Sequence, residues 1–141
     1  MAEKKVRLQI VTPTEKKVDE DADMVIMRCM TGDMGVLPGH EAYATVLDYG
    51  ILRILEGGNE RKIAVYSGLA MIQNDVLTVL TQEAEWPEET DLESAKADRE
   101  RAEERLREKT DDLEIQSDQI LLRRALVQIE ISSYSFTAEE E

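Results

Sequence analysis

His40 is the only histidine in this 141-residue chain, and two carboxylates lie close to it in sequence, Asp33 and Glu41. An imidazole beside a carboxylate is the usual acid–base pair near neutral pH. Catalysis also needs a nucleophile and a place to hold developing charge, and no Ser or Cys motif accompanies His40. The glycines before it do not form a phosphate loop: there is no Gly-Lys-Ser/Thr ending, and no GxGxxG opens a helix. Asp19, Glu20, Asp21 and Asp23 lack the glycine and the closing glutamate of a calcium-binding loop. Cys29 is the only cysteine, which excludes a disulfide framework and a zinc-finger site. No metal site is expected. A lone loop histidine of this kind reads as a surface or interface residue.

The segment that carries it, residues 32–41, holds Gly32, Gly35, Pro38 and Gly39. That is too much backbone freedom for a helix interior or a central strand. It reads as two turns around a short buried rung at Val36 and Leu37. Pro38 fixes φ beside Gly39, and the polar residues are held on water-facing bends.

The flanking sequence must position this segment. In residues 4–12, Val6, Leu8 and Ile10 alternate with Arg7 and Gln9, the pattern of a half-buried strand. A short return strand is expected over 14–18, followed by a solvated acidic loop at Asp19, Glu20 and Asp21. Residues 24–30 are nearly all apolar, as in a strand buried on both faces. Further strands are expected over 42–47 and 51–56, with a turn at Asp48, Tyr49 and Gly50 between them. Gly57, Gly58 and Asn59 mark a hairpin. Strands follow over 62–67, 69–72 and 76–81, with a break or bulge at Gly68 and a turn at Asn74 and Asp75. Short strands with regular turns indicate an antiparallel β-sandwich or barrel over about the first 85 residues.

The composition changes after Trp86 and Pro87, where Ala, Glu, Arg and Lys replace the β-branched residues. Thr90 with Glu93 has the form of a capping box. Leu92, Ala95, Ala102, Leu106 and Leu113 recur at helical spacing, with Arg99 interrupting. Glu93 with Lys96, Asp98 with Arg101 and Glu103 with Arg107 are favourable helix-surface pairs. A turn at Thr110, Asp111 and Asp112 leads to a second helix with Leu122, Ala125, Leu126 and Ile129 on one stripe, and the tail after Ser132 is expected to fray. The expected fold is α+β: a β-sandwich domain over 1–87, then an antiparallel two-helix hairpin over 88–141.

The net charge is −14, of which residues 88–141 contribute −9. An acidic chain repels phosphate backbones and anionic lipid heads, which argues against nucleic acid and against direct insertion into a membrane. A hairpin that is polar nearly all round has few apolar contacts to lose, so undocking it costs little.

The motifs carry a family resemblance. Residues 32–41, GDMGVLPGHE, are followed by Leu47, Gly50, Leu52 and Ile54 in a Leu-x-x-Gly-x-Leu-x-Ile pattern. Together they resemble the epsilon subunit of bacterial F-type ATP synthases. Val65-Tyr66-Ser67-Gly68-Leu69 and residues 74–80 resemble the next signature of that family. Order and spacing agree, and the resemblance spans nearly the whole chain.

It implies a non-catalytic rotor subunit at the cytoplasmic face of the cell membrane, held there peripherally by the ATP synthase complex. The sandwich would bind the gamma subunit and sit on the c-ring, coupling proton or sodium flow to rotation. The helical hairpin could lie folded, or extend into the alpha/beta catalytic head and inhibit ATP hydrolysis. Asp33 and His40, with Glu41 beside them, carry over as ring-facing residues. Arg99, Arg101, Arg105, Arg123 and Arg124, with Arg107, are available for inhibitory contacts, although the hairpin is more acidic than that role suggests.

ATP is the one small ligand the family suggests, as a regulator held against the folded hairpin. Glu85, Asp91, Arg101 and Arg124 match its pattern there. Ser94 and Gln128 stand where the family usually has arginines, and losing those guanidinium groups removes the strong phosphate contacts. ATP binding is therefore expected to be weak or absent. Two other readings compete: a free-standing protein-interaction module of sandwich and hairpin, and a small enzyme using His40.

Overall fold

The computed structural model describes residues 4–108 and 112–134. The chain divides into two compact units, Met1–Glu85 and Trp86–Glu141.

The first unit is a β-sandwich of eight strands: β1 (Val6–Val11), β2 (Lys16–Ala22), β3 (Met24–Cys29), β4 (Gly32–Val36), β5 (Tyr43–Glu56), β6 (Asn59–Gln73), β7 (Val76–Leu80) and β8 (Ala84–Glu85). The hydrogen-bonded order is β2-β1-β7-β6-β5-β3-β4, with β8 added to β6. Every pairing is antiparallel except β1 with β7. The core is aliphatic, as the scarcity of aromatics requires: Leu8, Ile10, Met27, Leu52, Ile63 and Leu77 are all fully buried. Each such side chain stabilises the fold by about 1.5–3 kcal/mol relative to exposure.

The long strands β5 and β6 carry the two layers. β5 runs without a break through Asp48, Tyr49 and Gly50, where a turn is expected from sequence. The turn signal is instead a local irregularity: β5 keeps its register with β6 across an unpaired Asp48 and Ser67, while its pairing with β3 shifts register, as at a bulge, over the same stretch. Such bulges bend a strand without ending it. Ser67 and Gly68 have φ of 68° and 147°, and a Cβ on Gly68 would collide with the Leu80 carbonyl oxygen. Glycine is therefore required at that corner, and the Thr81 hydroxyl donates to the Ser67 carbonyl at 2.6 Å to close it.

Three other expectations change. Asp19, Glu20 and Asp21 lie inside β2, not in a loop. Their charges are met across the sheet: Arg7 binds Asp19 at 2.8 Å and Asp21 at 3.3 Å, and Arg61 pairs with Glu20. β3 buries alternate residues, so one face packs and the other does not. The first half of the glycine-rich segment is the edge strand β4, in which Val36 is fully buried while Leu37 is 54% exposed. Glycines disfavour a central strand, but an edge strand accepts them.

The second unit opens with a 3-10 turn, Pro87–Glu89, followed by α1 (Leu92–Glu108) and α2 (Asp112–Ser132). The two helices pack against each other. The cap of α1 is Asp91, not Thr90: its carboxylate accepts from the Ser94 amide at 3.1 Å. The Thr90 hydroxyl donates instead to the Trp86 carbonyl at 3.3 Å. Leu113 belongs to α2 and is 76% exposed, so it takes no part in the α1 stripe. In α2 the buried set is Asp118, Ala125, Val127, Gln128, Ile131 and Ser132, whereas Leu126 is exposed. The turn residues Thr110 and Asp111 and the tail beyond Tyr134 lie outside the described residues.

Candidate functional site: a partner-binding face and its bordering turn

The turn that follows β4 is held by backbone and by one carboxylate. The His40 amide donates to the Leu37 carbonyl at 3.2 Å. The Gly39 amide donates to Asp75 Oδ1 at 2.6 Å, and the Asp75 carbonyl accepts from the Arg7 amide at 2.8 Å. Asn74 and Asp75 adopt positive φ, 53° and 61°, the geometry of a tight hairpin turn between β6 and β7. Asp75 thereby ties that turn to the start of β1 and to the segment carrying His40.

His40 Nδ1 lies 2.8 Å from the Glu41 carbonyl oxygen, which can only accept, so the ring N–H points there. Its ring centroid is 6.4 Å from that of Tyr43. Asp33 is exposed on β4 and faces Arg28 across the strand pair, Nε to Oδ1 3.6 Å. Asp33 and His40 are engaged with different neighbours, and they do not form the acid–base pair their sequence proximity suggests. Glu41 is exposed. Among the described residues, no group of three or more His, Cys, Asp or Glu is arranged to hold a metal.

Arg28 is a site residue that the sequence reading missed. Its stem lies over Gly50, where a Cβ would stand 2.7 Å from Cδ and 2.8 Å from Cβ of the arginine. Gly50 thus makes room for a side chain directed at Asp33.

A larger feature was also missed. Val46 pairs with Leu69, Leu69 with Leu80, and Leu80 with Val11. The Met30 amide donates to the Val46 carbonyl at the other end. Residues directly opposite in neighbouring strands share a face, so these five side chains form one row, about 19 Å long at the usual strand spacing. Met30 is 60%, Val46 53%, Leu69 38% and Leu80 41% exposed. Ala44 and Met71 extend the row on the same face. Arg28 and Asp33 lie beyond Met30, and Lys16, opposite Val11 on β2, borders the other end. An apolar centre with a charged rim is the anatomy of a protein interface. The sequence signal was the adjacent apolar pair Val46-Leu47 and the apolar run 69–72, which leave apolar residues on both faces of a strand.

The hairpin arginines are dispersed. Arg99 lies 4.0 Å from Glu103, Arg101 lies 3.7 Å from Asp98, and Arg105 lies 3.7 Å from Asp118. Arg123 is exposed and Arg124 half-buried. Of the residues matched to an ATP pattern, Glu85 accepts from the Tyr66 hydroxyl at 2.7 Å, and Asp91 is the helix cap. Arg101 lies ten residues further along the helix, about 15 Å of axis from Asp91.

Residues 5–87 match the family model described as the ATP synthase delta/epsilon chain β-sandwich domain, and residues 88–133 match its long α-helix domain. The chain belongs to the ATP synthase delta/epsilon family. The ATP synthase epsilon chain of Bacillus velezensis is 36% identical over 129 residues, covering 92% of this chain and 98% of that protein. The epsilon chain of Syntrophobacter fumaroxidans is 40% identical over 132 residues, covering 94% and 98%. Among solved structures, a chain of the Euglena gracilis mitochondrial ATP synthase, seen with OSCP, F1 and c-ring, matches with a TM-score of 0.77 and 27% identity. The match covers 86% of this epsilon-family chain and 77% of that one. A chain from the central stalk and c-ring of the Tetrahymena thermophila enzyme matches in fold, with a TM-score of 0.53 and 14% identity over 70% and 75% of the two chains. No described helix of this family member is long and apolar enough to cross a membrane.

Proposed function

We propose that this chain is a non-catalytic rotor subunit of an F-type ATP synthase, docking on the gamma subunit through the exposed row of Met30, Val46, Leu69, Leu80 and Val11. That row is the observation that carries the reading. An apolar stripe across four strands and the turn after β3 is a poor surface to leave in water and a good one to bury against a shaft. The turn and edge strand bearing Asp33, His40 and Glu41 lie next to it and suit the polar loops of the c-ring. A rigid pair of charged and polar groups can grip such loops without a large apolar area. The subunit then sits peripherally at the cytoplasmic membrane face and transmits c-ring rotation. Its hairpin inhibits ATP hydrolysis through Arg99, Arg101, Arg105, Arg123 and Arg124 when it reaches the alpha/beta head. ATP itself binds weakly or not at all, because Ser94 and Gln128 replace phosphate-binding arginines and the Asp91 and Glu85 carboxylates are engaged within the fold.

Val46→Asp tests the docking. It places an unpaired charge at the centre of the row while leaving the buried face of β5 unchanged, so the sandwich should still fold. Affinity for purified gamma subunit, measured by titration, is expected to fall about a hundredfold, in the range for a central interface residue. Undiminished binding to gamma would remove the basis for this reading and favour a free-standing interaction module.

A further inference from the structure

Two buried side-chain polar atoms among the described residues have no hydrogen-bond partner, Arg99 Nε and Asp118 Oδ2. Both lie in the helical hairpin, one on each helix. The described residues of the sandwich, with their many ion pairs, have none. Buried polar groups are nearly always satisfied, and each exception calls for a reason.

Asp118 is the sharper case. The residue is 5% exposed. Its charged neighbour Arg105 stands 3.7 Å away, too far for a hydrogen bond, and the arginine side chain is itself 52% exposed, so water screens the attraction. At helical spacing from Asp118, Leu122, Ala125 and Ile129 occupy the same stripe of α2, and a leucine at 118 would complete it. On α1, Arg99 interrupts the matching stripe of Leu92, Ala95, Ala102 and Leu106. When the helices part, water reaches Oδ2 of Asp118. Separation therefore restores to the carboxylate the hydrogen bonds that packing withholds.

We propose that Asp118 is a built-in release for the hairpin: its under-satisfied carboxylate raises the population of the open form, and that form is the one able to inhibit. The inference rests on the reading that the hairpin moves to inhibit hydrolysis. It concerns the packed state only, so its own test is separable.

The test uses Asp118→Leu in the full chain, with Glu104→Leu as a control that removes one negative charge at an exposed position of α1. In the isolated full-length protein, amide exchange across both helices is expected to slow at least about fivefold in Asp118→Leu, the scale of one unmade buried hydrogen bond. Glu104→Leu should leave it near the parent rate. In the reassembled ATP synthase, Asp118→Leu should raise the hydrolysis rate towards that of a complex lacking residues 88–141. If Asp118→Leu fails to fold, Asp118→Met removes the polar group with a more adaptable apolar side chain and must slow exchange in the same direction. Exchange that is unchanged or faster overturns the proposal, whatever hydrolysis does. So does slower exchange with hydrolysis unaltered in a complex that the truncation does activate. If exchange slows but removing residues 88–141 leaves hydrolysis unaltered, the release stands as a property of the hairpin, and it is the inhibitory reading that fails.

Discussion

At the scale of single residues, one carboxylate cannot serve two purposes at once. Asp91 accepts from the Ser94 amide at 3.1 Å through its side chain and from the Ala95 amide at 3.0 Å through its carbonyl. A helix whose first amides are otherwise unmet depends on such a cap. Ser94, the residue whose amide Asp91 caps, carries no guanidinium, so this segment offers a cap and no phosphate-binding charge. Asp91→Ala is accordingly expected to destabilise α1 by about 1 kcal/mol, seen as an earlier loss of helical far-UV circular dichroism on heating. The same variant should leave ATP binding to the isolated protein at its weak or undetectable level. A micromolar ATP site in the parent that disappears in the variant would show that Asp91 is a ligand and not only a cap.

Among the elements, the ends of the strands are held together by charge. Asp23 follows β2. It accepts from Lys5, which precedes β1, and from the Gly57 amide at 2.8 Å in the hairpin between β5 and β6. Lys5 also reaches Glu56 at 3.3 Å. The hydrogen bond from Lys5, then that from the Gly57 amide, holds the Asp23 carboxyl below its usual range, and Arg7 does the same for Asp19. A carboxylate with a lowered folded-state pKa stabilises the fold above its unfolded value of 3.8, and that contribution is lost as pH falls through the lowered value. The melting temperature of the parent should therefore decline below about pH 4. Asp23→Asn should start lower at neutral pH and decline less between about pH 5 and about pH 2. Parallel curves for the two proteins would show that this network does not link folding to pH.

These charge networks also mark where the sequence misleads. Strand alternation was legible for β1 because its apolar period is regular, whereas β6 and β7 were legible as apolar runs bounded by turn residues. The acidic run in β2 reads as a loop only while Arg7 on β1 and Arg61 on β6, which neutralise it, are out of view. Gly50 looks like a turn until the stem of Arg28 is seen lying on it. The glycine-rich segment could be located from its residue types, but its division into an edge strand and a turn depends on pairing with β3. The apolar row was invisible as a site because its members come from strands distant in sequence.

For the molecule as a whole the governing quantity is charge. The chain carries −14, with −9 in residues 88–141, yet the proposed inhibitory contacts are made by arginines within that acidic hairpin. Two effects of different range then compete. Over distances beyond a Debye length, about 10 Å at 0.1 M salt, any acidic surface that those arginines would pair with meets the net charge of the hairpin and is repelled by it. At contact, individual arginines pair with individual carboxylates, and such close pairs are screened less than distant charges. Raising salt therefore removes more of the repulsion than of the contact. In the complete ATP synthase, the ratio of hydrolysis with the full chain to hydrolysis without residues 88–141 is expected to fall as salt rises from about 20 mM to about 200 mM. Measuring both complexes at each salt concentration cancels any direct effect of salt on catalysis. A ratio that instead climbs with salt would mean that long-range attraction brings the hairpin to the head, and that its net charge does not govern the approach.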